Sequence, residues 1–198
     1  SYMAPSVDGQ AAAVHEALTV ADIDPETIDY VECHGTGTPI GDPIELAALT
    51  TAYRQETQAK QFCGVGSVKS NIGHLDTAAG VASVIKVVQS LKHRQLPPSI
   101  NFSSPNPAVD WANSPFMVNA SLKDWVSRKG PRRAGINSLG VGGTNAHVIL
   151  EEAPEMDPTS DSRATQLFVL SARTRSALDA QAAKLADALK DPVYSDDA

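Results

Sequence analysis

Short apolar runs alternate along the chain with polar turns and helix-period stretches, a pattern that predicts strands and helices in layers. Residues 8–20 read as a helix, with Ala12, Val14, Ala17 and Leu18 on its apolar side and Asp8 placed to cap it. Asp24-Pro25-Glu26 is a helix-start signature inside residues 22–28. Residues 29–33 (DYVEC) form a short strand that ends at His34; a Gly/Thr turn follows, and Pro43 opens a helix running through residues 45–54. The order then repeats. Residues 62–68 are a short buried strand, residues 66–80 (GSVKSNIGHLDTAAG) set Lys69 and His74 in a glycine-bounded turn, and residues 75–91 are apolar on every side. Apolar residues all round a helix predict that it is buried all round.

The C-terminal part is more irregular. Residues 95–113 are rich in Pro, Asn and Ser and predict a long surface loop of the kind that borders sites. Residues 116–119, 132–137 and 146–151 read as strands, and SLGVGGTN (138–145) between the last two carries three glycines. Such a turn adopts backbone angles that a β-carbon forbids and leaves amide N–H groups to face a ligand. Residues 154–164 are a polar linker, residues 167–171 a strand, and residues 174–189 an amphipathic helix with Leu178, Ala182, Leu185, Ala186 and Leu189 on one face. Two strand–turn–helix units in succession make the expected fold class α/β.

Composition narrows the partners. The 198 residues are 42% hydrophobic, enough for a core, and carry a net charge of −7 from 23 acidic and 16 basic residues. Basic residues are scattered apart from those at 128–133, so no nucleic-acid partner is expected. No charge-free apolar run approaches membrane length, and no membrane is expected. Two cysteines, Cys33 and Cys63, without a secretion signal point to reduced thiols and a cytoplasmic location. The opening, which has no initiator Met and runs from a loop straight into a helix, reads as a cut end.

The chemistry sits at the ends of the two strands. His34, Lys69 and His74 with two Gly/Thr-rich turns can converge on a carbonyl oxygen that becomes negative, in a pocket expected to be dry. A neutral imidazole donates a hydrogen bond there without releasing its proton. Each residue also has a structural reading: His34 as a packed histidine, Lys69 as a solvated lysine, the glycine turn as a turn. His15 and His93 lie in polar helical surroundings and read as surface residues, whereas His147 lies beside the third turn. No closely paired ligand spacing suggests a metal. If His34 faces a site, its strand neighbour Cys33 faces away, which argues against Cys33 as a nucleophile.

Three stretches together resemble one family. VECHGTGTPIGDPIEL (31–46), GSVKSNIGHLDTAAG (66–80) and NSLGVGGTNAHVILEEAP (137–154) look like the C-terminal half of a β-ketoacyl synthase, in the ketosynthase form of a modular type I polyketide synthase. APSVDGQ (4–10) fits the segment just before that half. Residues 166–189 resemble the start of the linker between ketosynthase and acyltransferase domains. The resemblance implies residues 1–154 as the C-terminal half of a thiolase-like layered fold and residues 155–198 as the start of a small α/β linker domain.

It also implies decarboxylative Claisen condensation of a cysteine-bound acyl chain with a malonyl-type unit on acyl carrier protein. His34 and His74 would stabilise the thioester enolate, with Lys69 holding the histidine and water network. Thr36 and Thr38 would hold the phosphopantetheine arm, and the Val141 backbone N–H would be an oxyanion donor. The domain itself would bind no cofactor. Its partners would be the N-terminal half of the ketosynthase, acyl carrier protein, the adjacent acyltransferase domain and a second copy in a homodimer. Leu139 and Val141 stand where many members carry phenylalanine, and no D-T-A-C-S-S nucleophile motif occurs. The chain by itself is therefore expected to be inactive. The competing reading is a non-catalytic scaffold for dimerisation or carrier-protein docking. A degradative thiolase is disfavoured because SLGVGGTN holds no cysteine.

Overall fold

The computed structural model describes residues 5–155, 165 and 167–190. The chain divides into two compact units, residues 1–153 and 154–198. In the first unit a five-stranded sheet runs in the order β4-β2-β1-β6-β7, with β1 at Tyr30–Glu32, β2 at Cys63–Gly66, β4 at Phe116–Val118, β6 at Arg133–Leu139 and β7 at Asn145–Glu151. Neighbouring strands from β4 through β6 are parallel, and β7 returns antiparallel to β6. A two-residue β3, Gln95–Leu96, pairs with β5, Lys123–Asp124, away from the main sheet.

Strand alternation sorts the side chains into two cores. Val31 and Cys33 face a core with Cys63, Val65, Phe116, and the inner sides of α1 (Val7–Ala21) and α2 (Gly41–Tyr53). Tyr30 faces the opposite core with Trp125, Ala134, Ile136 and Val87 of α4 (Ala79–His93). The unit is thus helix pair, sheet, helix.

Three local readings change. Ser6, not Asp8, caps α1: its side-chain oxygen accepts the Gly9 N–H at 3.2 Å, and Asp8 sits inside the first turn. Either residue suits an N-cap, and the β-region backbone of Ser6 decides between them. The apolar stretch 75–91 is not buried all round. It starts with a 3-10 turn at Asp76–Ala78 and continues as α4, which buries Ala79, Ser83, Val87 and Ser90 but leaves Val81 63% and Ile85 56% exposed. Only one side of α4 meets the sheet; the other side carries apolar residues that the described residues do not cover.

The third change falls in the second unit, where residues 167–171 pair with no strand among the described residues and Leu167–Leu170 are exposed. An extended segment becomes a strand only when a neighbour supplies its ladder bonds. The unit's helix α5, Arg175–Ala188, is capped by Thr174, which accepts the Ala177 N–H, and Leu178 and Leu185 are its half-buried positions. Of the linker at 154–164, residues 156–164 lie outside the described residues.

The other predicted strands and the helices at 8–20 and 45–54 form close to their expected bounds. The basic run at 128–133 is absorbed internally: Lys129 pairs with Glu26, Arg132 with Glu152 and Arg133 with Glu151.

Candidate active site

The parallel strands β1 and β2 end side by side, and β6 ends beside β1, so the segments following all three meet at one edge of the sheet. This is the edge where open α/β sheets build sites. His34 follows β1 and Lys69 begins α3 (Lys69–Ile72) just after β2. His74 follows α3, and the glycine turn of residues 140–144 follows β6. Gly142 and Gly143 take φ of 85° and 81° in that turn, as its glycine content requires.

His34 and His74 come together, their ring centroids 5.2 Å apart and nearly perpendicular at 79°. The tautomer of each ring, when neutral, follows from its neighbours. The Leu139 backbone N–H donates to His34 Nδ1 at 3.4 Å, and Lys69 Nζ lies 3.4 Å from the same nitrogen. The Asp76 N–H donates to His74 Nδ1 at 2.9 Å. A nitrogen that accepts from a backbone amide carries no proton, so in the neutral rings the hydrogen sits on Nε2. Burial, then the Lys69 charge and His74, lower the His34 pKa to about 4. Burial also lowers the Lys69 pKa, against the pull of Glu45 and Glu32. His34 at neutral pH is thus an uncharged Nε2–H donor beside a cation that cannot accept its proton.

A cavity of about 740 Å³ is lined by His34, Thr36, Thr38, Leu139, Val141 and Asn145 among others. Thr38 Oγ1 accepts the Gly41 N–H at 2.9 Å, which holds the start of α2 and leaves the hydroxyl hydrogen for a ligand. Lys69 opens instead on an adjoining cavity of about 420 Å³, which Thr36 also lines. The expectation of a dry pocket needs correction. His74, Thr36 and Thr38 are exposed and Val141 is 62% exposed, because the described residues build one wall of the site and leave its front open. Cys33 packs into the core, and burial pushes its thiol well above the ordinary range. Among the described residues no three His, Cys, Asp or Glu side chains are grouped to hold a metal ion.

Two buried carboxylates, absent from the sequence reading, hold the site-bearing turns. Glu45 on the inner face of α2 accepts the His34 N–H at 2.7 Å, the Gly35 N–H at 2.9 Å and Asn137 Nδ2 at 2.8 Å. Burial raises its pKa and those three donors pull it back. Glu32 at the end of β1 accepts the Val68 N–H, where the Lys69 turn begins, together with Tyr30 Oη and Lys86 Nζ at 2.6 Å. The usable signal was a carboxylate inside an apolar stretch, in DYVEC and again in PIELAAL: a buried charge has to be paired.

Residues 1–103 match the family described as "Beta-ketoacyl synthase, C-terminal domain", and residues 105–197 match "Ketoacyl-synthetase C-terminal extension". The chain is 47% identical over 194 residues to a phenolphthiocerol/phthiocerol polyketide synthase of Mycobacterium tuberculosis, covering 96% of this chain and 13% of that protein. An erythronolide synthase of Saccharopolyspora erythraea is 46% identical over 189 residues, 94% of this chain and 6% of its own length. Ketosynthase twelve of the bacillaene polyketide synthase in Bacillus amyloliquefaciens superimposes with a TM-score of 0.75 at 47% identity, over 97% of this chain and 33% of that one. The module 6 ketosynthase of the Bacillus subtilis bacillaene synthase gives 0.75 at 44% identity, again over 33% of its chain. The chain therefore spans about a third of the solved ketosynthases it matches and a smaller part of the curated relatives. Its sheet and helix layers are those of the thiolase-like fold, and the chain belongs to the β-ketoacyl synthase family, as the C-terminal part of a ketosynthase of the modular polyketide synthase kind.

Proposed function

We propose that this chain is the donor half of a condensing site that carries out decarboxylative Claisen condensation. The observation that carries the reading is the paired tautomer: two imidazoles in contact, each with Nδ1 engaged by a backbone N–H and Nε2–H left to donate. When a malonyl-type thioester loses CO₂, negative charge develops on the thioester oxygen. Two Nε2–H donors from His34 and His74 would meet that oxygen and stabilise it without themselves ionising. The low pKa of His34 keeps it in the donor form across neutral pH. Lys69, beside His34 Nδ1, holds the ring and adds positive potential.

Thr36 and Thr38 on the cavity wall would hydrogen-bond the phosphopantetheine arm of acyl carrier protein, and the Val141 N–H would receive the oxyanion of the acyl thioester. The acyl-bearing cysteine would come from the N-terminal half of the ketosynthase, so the chain by itself is inactive. Residues 1–154 form the condensing half in this reading, and residues 155–198 begin the linker to an acyltransferase domain. The uncovered apolar side of α4 suits burial against the rest of such an enzyme, a homodimer in the cytoplasm.

The test uses the full-length protein that carries this chain, supplied with malonyl-loaded carrier protein. CO₂ release that falls in His34→Ala and in His74→Ala supports the proposal. CO₂ release untouched in both variants, or absent from the parent, overturns it and leaves the non-catalytic scaffold.

A further inference from the structure

His147 lies on β7 directly opposite Asn137 of β6, and its ring sits over Gly135. A β-carbon at Gly135 would stand 2.8 Å from His147 Nε2, so the glycine is what makes room for the imidazole. The orientation of this pair is fixed from its far end. The Glu45 carboxylate only accepts, so Asn137 turns its NH₂ toward Glu45 Oε1, at 2.8 Å. The Asn137 Oδ1 then faces His147 Nδ1 at 2.6 Å, and an amide oxygen also only accepts. His147 Nδ1 therefore carries the proton, the opposite tautomer to His34 and His74. Its Nε2 is a buried acceptor without a hydrogen-bond partner among the described residues. The same Oε1 of Glu45 that takes Asn137 also takes the His34 N–H.

We propose that His147 is a positioning residue for the condensation reaction: through Asn137 it fixes the Glu45 carboxylate that holds the backbone of His34. This inference rests on the function proposed above. Burial brings the His147 pKa to about 4, so the ring stays neutral and its Nδ1–H stays committed to Asn137. Strand packing alone needs an imidazole-sized side chain, whereas the relay needs a donor at the Nδ1 position. Asparagine places its NH₂ near that position and glutamine near Nε2, so the two substitutions separate the roles.

The experiment measures steady-state condensation by the full-length protein, with malonyl-loaded carrier protein as the varied substrate. His147→Gln and His147→Leu are expected to lose about tenfold in kcat, or about 1.4 kcal/mol on the barrier, with KM unchanged. His147→Asn is expected to restore most of that rate. Equal rates for the Asn and Gln variants, or a loss confined to KM, would overturn the proposal. Should the Leu variant not fold, the Asn–Gln pair decides alone. His34→Ala runs as the control: if it keeps the parent rate, the proposed function fails and the inference with it. If it loses the rate while Asn and Gln variants match, the inference alone fails.

Discussion

The two strand–turn–helix units carry one histidine each in the turn after the strand and hold it in different ways. The His34 unit is completed inside the chain. Its turn is clamped by Glu45 through two backbone N–H groups, its helix α2 buries Leu46, Leu49, Ala52 and Tyr53, and its imidazole is half-buried. The His74 unit is held at its entrance, where Glu32 takes the Val68 N–H, and along α4, where Lys86 pairs with Glu32 and Val87 packs on the sheet; the His74 ring itself takes the Asp76 N–H. His74 is exposed, as are Ile72, Leu75, Val81 and Ile85 in the same unit. The same motif thus gives a preorganised donor in one unit and a donor awaiting a wall in the other.

The largest expected effect breaks the equivalence of the two donors. In the full-length protein, His34→Ala should cost about 10²–10³ in the rate of CO₂ release, the usual cost of one preorganised oxyanion donor. A loss below tenfold would make His74 the dominant donor and His34 a bystander.

Glu45→Gln comes next. The substitution replaces an acceptor of three hydrogen bonds with an amide whose NH₂ must oppose one of them. The expected loss is about 1–3 kcal/mol of unfolding free energy, read by urea denaturation. An unchanged midpoint would show that the His34 turn does not depend on this clamp.

A pH series sharpens the comparison further. His34 and His147 are held near pKa 4 in the fold against an ordinary value of 6.5. Between about pH 6.5 and pH 4 the unfolded chain therefore binds protons that the folded chain does not. Their contribution to stability is full above that window and falls as pH drops through it. Urea midpoints at pH 7.5 and 5.0 should differ more in the parent than in His147→Asn; an equal difference would remove His147 from the account. Smallest is Ile85→Glu on the uncovered side of α4, expected to change the stability of this chain by no more than about 0.5 kcal/mol. A loss of several kcal/mol would mean that this face is already buried.

Much of the layout was legible in the sequence because strands of three to seven residues bounded by turns leave few choices, as DYVEC before His34 and the run before Lys69 illustrate. The convergence of His34 and His74 was legible too, since adjacent parallel strands carry their turns to one edge. The tautomers were not, because they depend on which backbone N–H reaches which ring nitrogen. Glu32, Glu45 and Asn137 were missed for a related reason: their roles come from partners up to 92 residues away in the chain, as Asn137 is from Glu45. The helix at 79–93 was misread because an all-round apolar surface reports what a helix can bury, not what is present to bury it. The strand expected at 167–171 failed similarly, since β-propensity describes a fit to neighbours rather than a strand by itself.

The most direct measurement is the imidazole tautomer state, read by long-range ¹H–¹⁵N correlation on the full chain with ¹⁵N-labelled histidine near neutral pH. The chain has five histidines, and single substitutions assign them. The account predicts the Nε2–H tautomer for the neutral rings of His34 and His74, with the reverse at His147. A neutral ring protonated on Nδ1 alone at His34 or His74 would contradict it, because that ring would then turn an acceptor toward the place where the enolate oxygen must be held.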